Sequence, residues 1–417
     1  MLFLVVSVPL DLVKNKFVTR SFGIFLMLFF FWSLLVGLFF AQLIIHRTSD
    51  GNSGNRYFSI TMTLTFENRN NNGDIWYFTR NEKEIALFMN NSWQTVYLMN
   101  VSYPISSFET DDDGNPVAYV EFPISGLKQG ENFSYQVNYR VVLKSRDLPQ
   151  ISKNFSGSLS DIPEDLKTEF CSPTGVWQSN SSLICKYAFE ILGNETNVLS
   201  AVSDFIMWIV RNIKYESLDV PRYPNETLLE KKGDCDDQAN LLIGLCRAVG
   251  IPAYLQIGCI YKQGIESTSN FWDGLWTSTL TNIGWHGWAV VYVPPWGWLP
   301  VDLTYFTGNS SNPLSHITSS AIVAFPTVQY INVTVSDYVL ESRLQKATVI
   351  SEAHRIISHD IMVEEFREKV TFQNSVDAPQ FTFITIEILV VTLVFLAIFS
   401  FFKPFKCEII YSKSECL

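Results

Sequence analysis

KGDCDDQANLLIGLCRAVGI, residues 232–251, places a cysteine at the start of an apolar run with helical spacing. Leu241, Leu242, Leu245, Cys246 and Val249 form one stripe of a helix. Gly250 and Pro252 end it. Gly233 or Asp234 caps the front, so Cys235 falls in the first turn. There, free backbone N–H groups and the helix dipole favour a thiolate. Cys235 is therefore a candidate nucleophile, and Cys246, three turns further on, reads as a small buried hydrophobe.

The chain has 417 residues and a net charge of −11, which predicts two or three domains and argues against a nucleic-acid partner. Phe22–Ile45 and Phe381–Phe402 are apolar and long enough to span a bilayer. Lys14, Lys16 and Arg20 precede the first span, and Lys403, Lys406 and Lys413 follow the second. The positive-inside rule then predicts a double-pass plasma-membrane protein, with both termini cytoplasmic and residues 46–380 outside. Glu387 lies shallow in the second span and reads as tolerated. The first 13 residues are largely apolar but too short to cross. Nine N-x-S/T sequons, from Asn90 to Asn332, all lie between the spans and agree with an exported glycoprotein. Cys171 and Cys185 are spaced for a disulfide, and no CxxC pair marks a structural zinc.

Between the spans the pattern changes twice. Residues 46–150 read as a β-sandwich, with alternating runs such as SITMTLTF (59–66) and FSYQVNYRVVL (133–143). Asp111–Asp113 lack the alternate spacing of a calcium loop and read as a solvated hairpin turn. Residues 182–213 have a helical pattern. Tyr254–Tyr261 reads as a buried strand and 261–283 as an aromatic insertion. Two further strands, 286–293 and 298–305, are joined by PPWG. Residues 340–370 fit a helix or a strand pair leading to the second span.

A cysteine nucleophile needs a base and a group to orient that base. His286 begins one strand and Asp302 lies in the next. A three-residue loop, Pro294–Trp296, sets His286 opposite Thr304 and makes Asp302 its diagonal neighbour on the same face. An even-numbered loop would put the two on opposite faces. Asp234, Asp236 and Asp237 oppose thiolate formation. Tyr215 is a weak candidate for an oxyanion donor beside the backbone N–H of Cys235, its plainer reading being a core tyrosine. His316 reads as a surface-loop histidine. The spacing of His354 and His359 is wrong for a metal face, and the tryptophans from Trp272 to Trp298 read as packing.

The blocks GDCDDQANLLIGLCRAVGIPAYLQIG and WHGWAVVYVPPWGWLPVDLTY resemble the transglutaminase-like superfamily over about residues 185–305. The resemblance implies an α+β, papain-like core, with helices packed on an antiparallel sheet, and a triad of Cys235, His286 and Asp302. The preceding β-sandwich resembles the N-terminal domains often found before such cores, and the two-span, sequon-rich layout is similar to archaeal surface members. Domains are accordingly expected at 1–21 (cytoplasmic), 22–45 (transmembrane), 46–150 (β-sandwich), 151–335 (transglutaminase-like), 336–380 (juxtamembrane), 381–402 (transmembrane) and 403–417 (cytoplasmic). The expected activity is cysteine acyl transfer on a peptide or side-chain amide outside the cell, with hydrolysis favoured over cross-linking. No metal or cofactor is expected, and membrane lipid is the remaining partner. The alternative is a catalytically inactive surface module of the same fold.

Overall fold

A computed structural model of the chain describes residues 55–365. The two apolar spans, 22–45 and 381–402, lie outside the described residues. Among the described residues no helix is long and apolar enough to cross a membrane.

The framework is one eight-stranded sheet. Its strands are β1 (Arg56–Asn68), β2 (Gln94–Val101), β3 (Asn132–Leu143), β4 (Ala253–Phe271), β5 (Trp276–Val293), β6 (Gly297–Val301), β7 (Thr327–Val333) and β8 (His354–Glu365). The order is β7-β4-β5-β8-β1-β3-β2, with β6 paired to β5. Strand β8 joins the N-terminal strands to the rest: it is antiparallel to β1 and parallel to β5. The segment read as juxtamembrane thus contributes, within 336–365, a helix and a strand of this body. The N-terminal strands share their sheet with those that follow.

Alternation along β1 and β3 puts Phe58, Ile60 and Phe66 with Tyr135, Val137 and Val141 on one buried face. The short strands Glu84–Ala86, Ile105–Thr110 and Pro116–Val120 form a second, three-stranded sheet, and Ile85, Ala118 and Val120 join the same apolar core. Four helices build the other core: α1 (Ser182–Leu192), α2 (Val198–Asn212), α3 (Pro224–Glu230) and α4 (Cys235–Ala248). The single helical run expected over 182–213 is two helices. Gly193, at φ 55°, ends α1, and the Asn197 side chain caps α2. Helix α4 is buried along most of its length and packs on β4 and β5 through Leu241, Leu245, Leu255 and Val291. Helix α5 (Tyr338–Ser351) precedes β8.

The aromatic insertion expected at 261–283 is instead an extension of the β4–β5 hairpin. Pairing resumes after a register shift between Tyr261 and Glu266. Near its tip Trp272 is buried and donates to the Asp219 carbonyl at 2.9 Å.

The sheet curls until its edge strands meet. Gln94 of β2 donates to the Gln329 carbonyl and accepts from the Gln329 N–H, both at 2.7 Å. Asn115 repeats this pattern on Asn332, both bonds at 2.8 Å. Asp113 accepts the N–H groups of Thr334, Val335 and Ser336. Asp113 is therefore a clamp, not the solvated turn residue its sequence context implies. Burial opposes its ionisation, but these hydrogen bonds prevail and hold its carboxyl below the usual range. Side-chain amides thus satisfy a strand edge that would otherwise be open. Gln94→Leu leaves two backbone groups of Gln329 unpaired. It is expected to lower the unfolding free energy by about 1–3 kcal/mol, whereas Phe108→Ala, at a side chain 65% exposed, should change it by less than about 0.5 kcal/mol. Urea denaturation measures both.

Candidate active site

Strand β5 is paired with β4 along one edge for most of its length. Along the other it pairs with β8 over Trp276–Thr281 and with β6 over Ala289–Val293. Residues 282–288 fall in the gap between those two ladders, and the first turn of α4 approaches there.

Asp234 is the N-cap of α4 and Cys235 its first residue. The Asp237 carboxylate accepts the Asp234 N–H at 3.1 Å, closing the turn from the third helical position. Gly233 is required just before it, because a Cβ there would lie 2.6 Å from the Asp237 Cβ. A second glycine, Gly287, lets the helix reach the strand: a Cβ on it would lie 3.0 Å from the Asp236 Cβ. The partly buried Cys235 thiol then faces the backbone N–H of Gly287, the residue after His286.

His286 and Asp302 meet directly, with Nε2 2.7 Å from Oδ2. The connecting loop has three residues, since Val293 pairs with Gly297. The strand expected over 298–305 ends at Val301, and the chain turns so that Asp302 can gather donors. Its Oδ1 accepts the N–H groups of Thr304 and Tyr305 at 3.1 and 2.9 Å, and its Oδ2 that of Ala321 at 3.2 Å. With Oδ2 as acceptor, His286 donates through Nε2, and its neutral form keeps Nδ1 as a proton acceptor.

The electrostatics around the thiol run against easy ionisation. Donor atoms of Asp234, Cys235 and Asp236 lie within 4.8 Å of one another. Burial, then the Asp236 and Asp234 charges, push the Cys235 thiol well above its ordinary value, while the N–H groups of Gly287 and Asp236 act the other way. The acids perturb each other too. Burial and then the Asp236 charge raise the carboxyls of both Asp234 and Asp237. Asp234 is driven towards its neutral form, so the cluster carries less negative charge than its composition states.

Three placements differ from the sequence reading. Tyr215 is 57% exposed, not a core tyrosine. It pairs with Gly233, and burial followed by the Cys235 and Asp234 charges raises its hydroxyl pKa. His316 is fully buried rather than on a surface loop. Its Nδ1 lies 2.9 Å from the Asp302 carbonyl, and its own carbonyl accepts the Asp302 N–H at 2.8 Å. Tyr338 of α5 donates to Asp236 Oδ2 at 2.9 Å and accepts from Asn240 at 2.6 Å. Nothing local in the sequence signals Tyr338, which is 102 residues from its partner. Cys246 and Cys259 are buried, and Cys171 and Cys185 are free thiols instead of a disulfide.

Residues 186–303 of the mixed α+β body match the family model described as the transglutaminase-like superfamily. A curated relative, an uncharacterised protein of Haemophilus influenzae, is 29% identical over 133 residues. The match covers 29% of this chain and 35% of that protein, so the chain spans about a third of its relative's length. Among solved structures, the chain is similar to a candidate cysteine protease from Cytophaga hutchinsonii, with a TM-score of 0.46 and 19% identity over 78% of this chain and 95% of that one. It is also similar to the periplasmic domain of TgpA from Pseudomonas aeruginosa bound to ethylmercury, with a TM-score of 0.29 and 16% identity over 61% and 91%. The resemblance to archaeal surface members finds no support among these relatives.

Burial lowers the His316 pKa from its ordinary value of 6.5. The unfolded chain therefore takes up a proton near pH 6.5 that the folded chain refuses, and stability falls as pH drops below that value. The melting temperature is expected to decrease from pH 7 towards pH 5, and His316→Asn should flatten part of that decrease.

Proposed function

We propose that the chain is a membrane-anchored cysteine acyl-transfer enzyme that acts outside the cell, most directly as a peptidase or amidase. The observation that carries this reading is the His286–Asp302 contact at 2.7 Å beside the first turn of α4, within the segment that matches the transglutaminase-like superfamily. Anchoring is assigned to the apolar spans 22–45 and 381–402, with residues 46–380 outside and both tails in the cytoplasm.

In this mechanism the resting nucleophile is a thiol, because its acidic, buried surroundings disfavour the anion. His286 Nδ1 takes the thiol proton as Cys235 Sγ attacks the carbonyl carbon of an amide. Asp302 stabilises the resulting imidazolium and holds its ring in place. The tetrahedral oxyanion is met by the backbone N–H of Cys235 and by the Tyr215 hydroxyl. Collapse breaks the C–N bond, the leaving amine takes the proton from His286, and a thioester remains. His286 then deprotonates a water that attacks the thioester, releasing a carboxylic acid and restoring the thiol.

The acid crowding at Cys235 is the observation that favours the second reading, a surface module of the same fold without activity. Iodoacetamide separates the two. Under the enzymatic reading, Cys235 is alkylated faster than the partly buried Cys171 and Cys185, and His286→Ala slows Cys235 alone. Equal rates at the three cysteines, unchanged by His286→Ala, would overturn it. Once an amide substrate is found by profiling surface proteins, Cys235→Ala is expected to abolish turnover, and His286→Ala to cost about 10²–10⁴-fold. Protease added to intact cells should cut within residues 46–380 and spare both tails.

A further inference from the structure

A cavity of about 960 Å³ lies between α5, the strand Glu84–Ala86 and the buried face of the large sheet; neither Cys235 nor His286 lines it, though Tyr338, the partner of Asp236, does. Its size is at the upper end of the roughly 300–1,000 Å³ typical of small-molecule sites. Two features make its chemistry specific. The first is aromatic: Trp76, Trp272, Trp276, Trp285 and Tyr330 line it. The second is charge. Glu82, Glu84, Glu341 and Asp360 also line it, and no lysine or arginine does. The one basic side chain on the wall, His354, is buried and stacked on Trp76 at 3.8 Å, and burial lowers its pKa, so it is neutral near pH 7.

Asp360 points to the ligand. It is 6% exposed, and its one side-chain hydrogen bond among the described residues is from Trp285 Nε1 to Oδ2, at 2.8 Å. Its Oδ1 therefore has accepting capacity left at the cavity wall. A buried carboxylate with a single neutral donor lacks the counter-charge that such groups normally acquire. Indole and phenol faces attract cations through their quadrupoles and also cover apolar carbon. Carboxylates and aromatic faces on one wall, with no competing cation, select an ammonium group that carries an apolar body.

We propose that this cavity is a binding site for a small organic ammonium compound, its charged head on Asp360 and its apolar part against the tryptophans. The site uses neither Cys235 nor His286, so it stands or falls independently of the acyl-transfer reading.

The test uses the full-length protein and three probes of one shape: 4-phenylbutylammonium, 4-phenylbutan-1-ol and 4-phenylbutyrate. Tryptophan fluorescence and titration calorimetry follow binding in the same detergent for all three. The cation is expected to bind saturably and about tenfold tighter than the alcohol, and the anion more weakly than either. Asp360→Asn should bring the cation to the affinity of the alcohol. Glu341→Lys, on the exposed rim, should weaken the cation without changing the alcohol, and serves if Asp360→Asn does not fold. Cys235→Ala should bind the cation as the wild type does. Absence of saturable cation binding, equal affinity for cation and alcohol, or cation binding unchanged in both charge variants would overturn the proposal.

Discussion

Helix α4 brings its first turn to strand β5 where Gly287 has no Cβ to keep them apart, and Gly233 lets the cap of that turn close. A Cβ at Gly233 or Gly287 would meet the Asp237 or Asp236 side chain at 3.0 Å or less. The strand is also open at that place. Its outer edge pairs with β8 on one side of the gap and with β6 on the other. The N–H of Gly287 is thus left to face a thiol. His286 sits in the same gap, and the three-residue turn to β6 returns the chain to place Asp302 against it. The contact of histidine with aspartate, and the approach of the first turn of α4 to Gly287, both fall at this interruption between the β8 and β6 ladders.

The same region carries an electrostatic cost. Three carboxylates around a half-buried thiol disfavour its anion, and the helix dipole supplies only a partial offset. The structure limits the cost in two ways. Asp234 is driven towards its neutral form, and Asp236 is bonded to the Tyr338 hydroxyl. A second layer fixes the aspartate: His316 holds the backbone of Asp302 at both its N–H and its carbonyl. Elsewhere, carboxylate and amide side chains close the curled sheet by bonding the free edge of β7. Polar residues that read as loop or turn from their neighbours in sequence act here as structural ties.

Periodicity and capping made the helix at Cys235, the strands around His286 and the alternating N-terminal strands legible in the sequence, because those patterns are local. The hairpin register was legible as one of two possibilities, and only the turn geometry chose between them. The extension of β4 and β5 was not legible. Its glycine- and serine-bearing composition matches a loop, and its strand character comes from pairing across the hairpin and with β8. His316 was misplaced for a similar reason: its neighbours Asn312 and Pro313 mark a surface turn, but the side chain folds inward to a partner 14 residues away.

By itself the sequence determined the position of Cys235 in a helical first turn, the acids beside it, and the histidine and aspartate strands that follow. Those depend on spacing along the chain. The tertiary structure decided that β8 joins two sets of strands into one sheet, that Tyr338 and His316 brace the site, and that aromatic and acidic side chains from distant segments enclose one cavity. Each of these needs contacts between residues far apart in the chain, and no local propensity encodes which distant partner will satisfy a buried polar group.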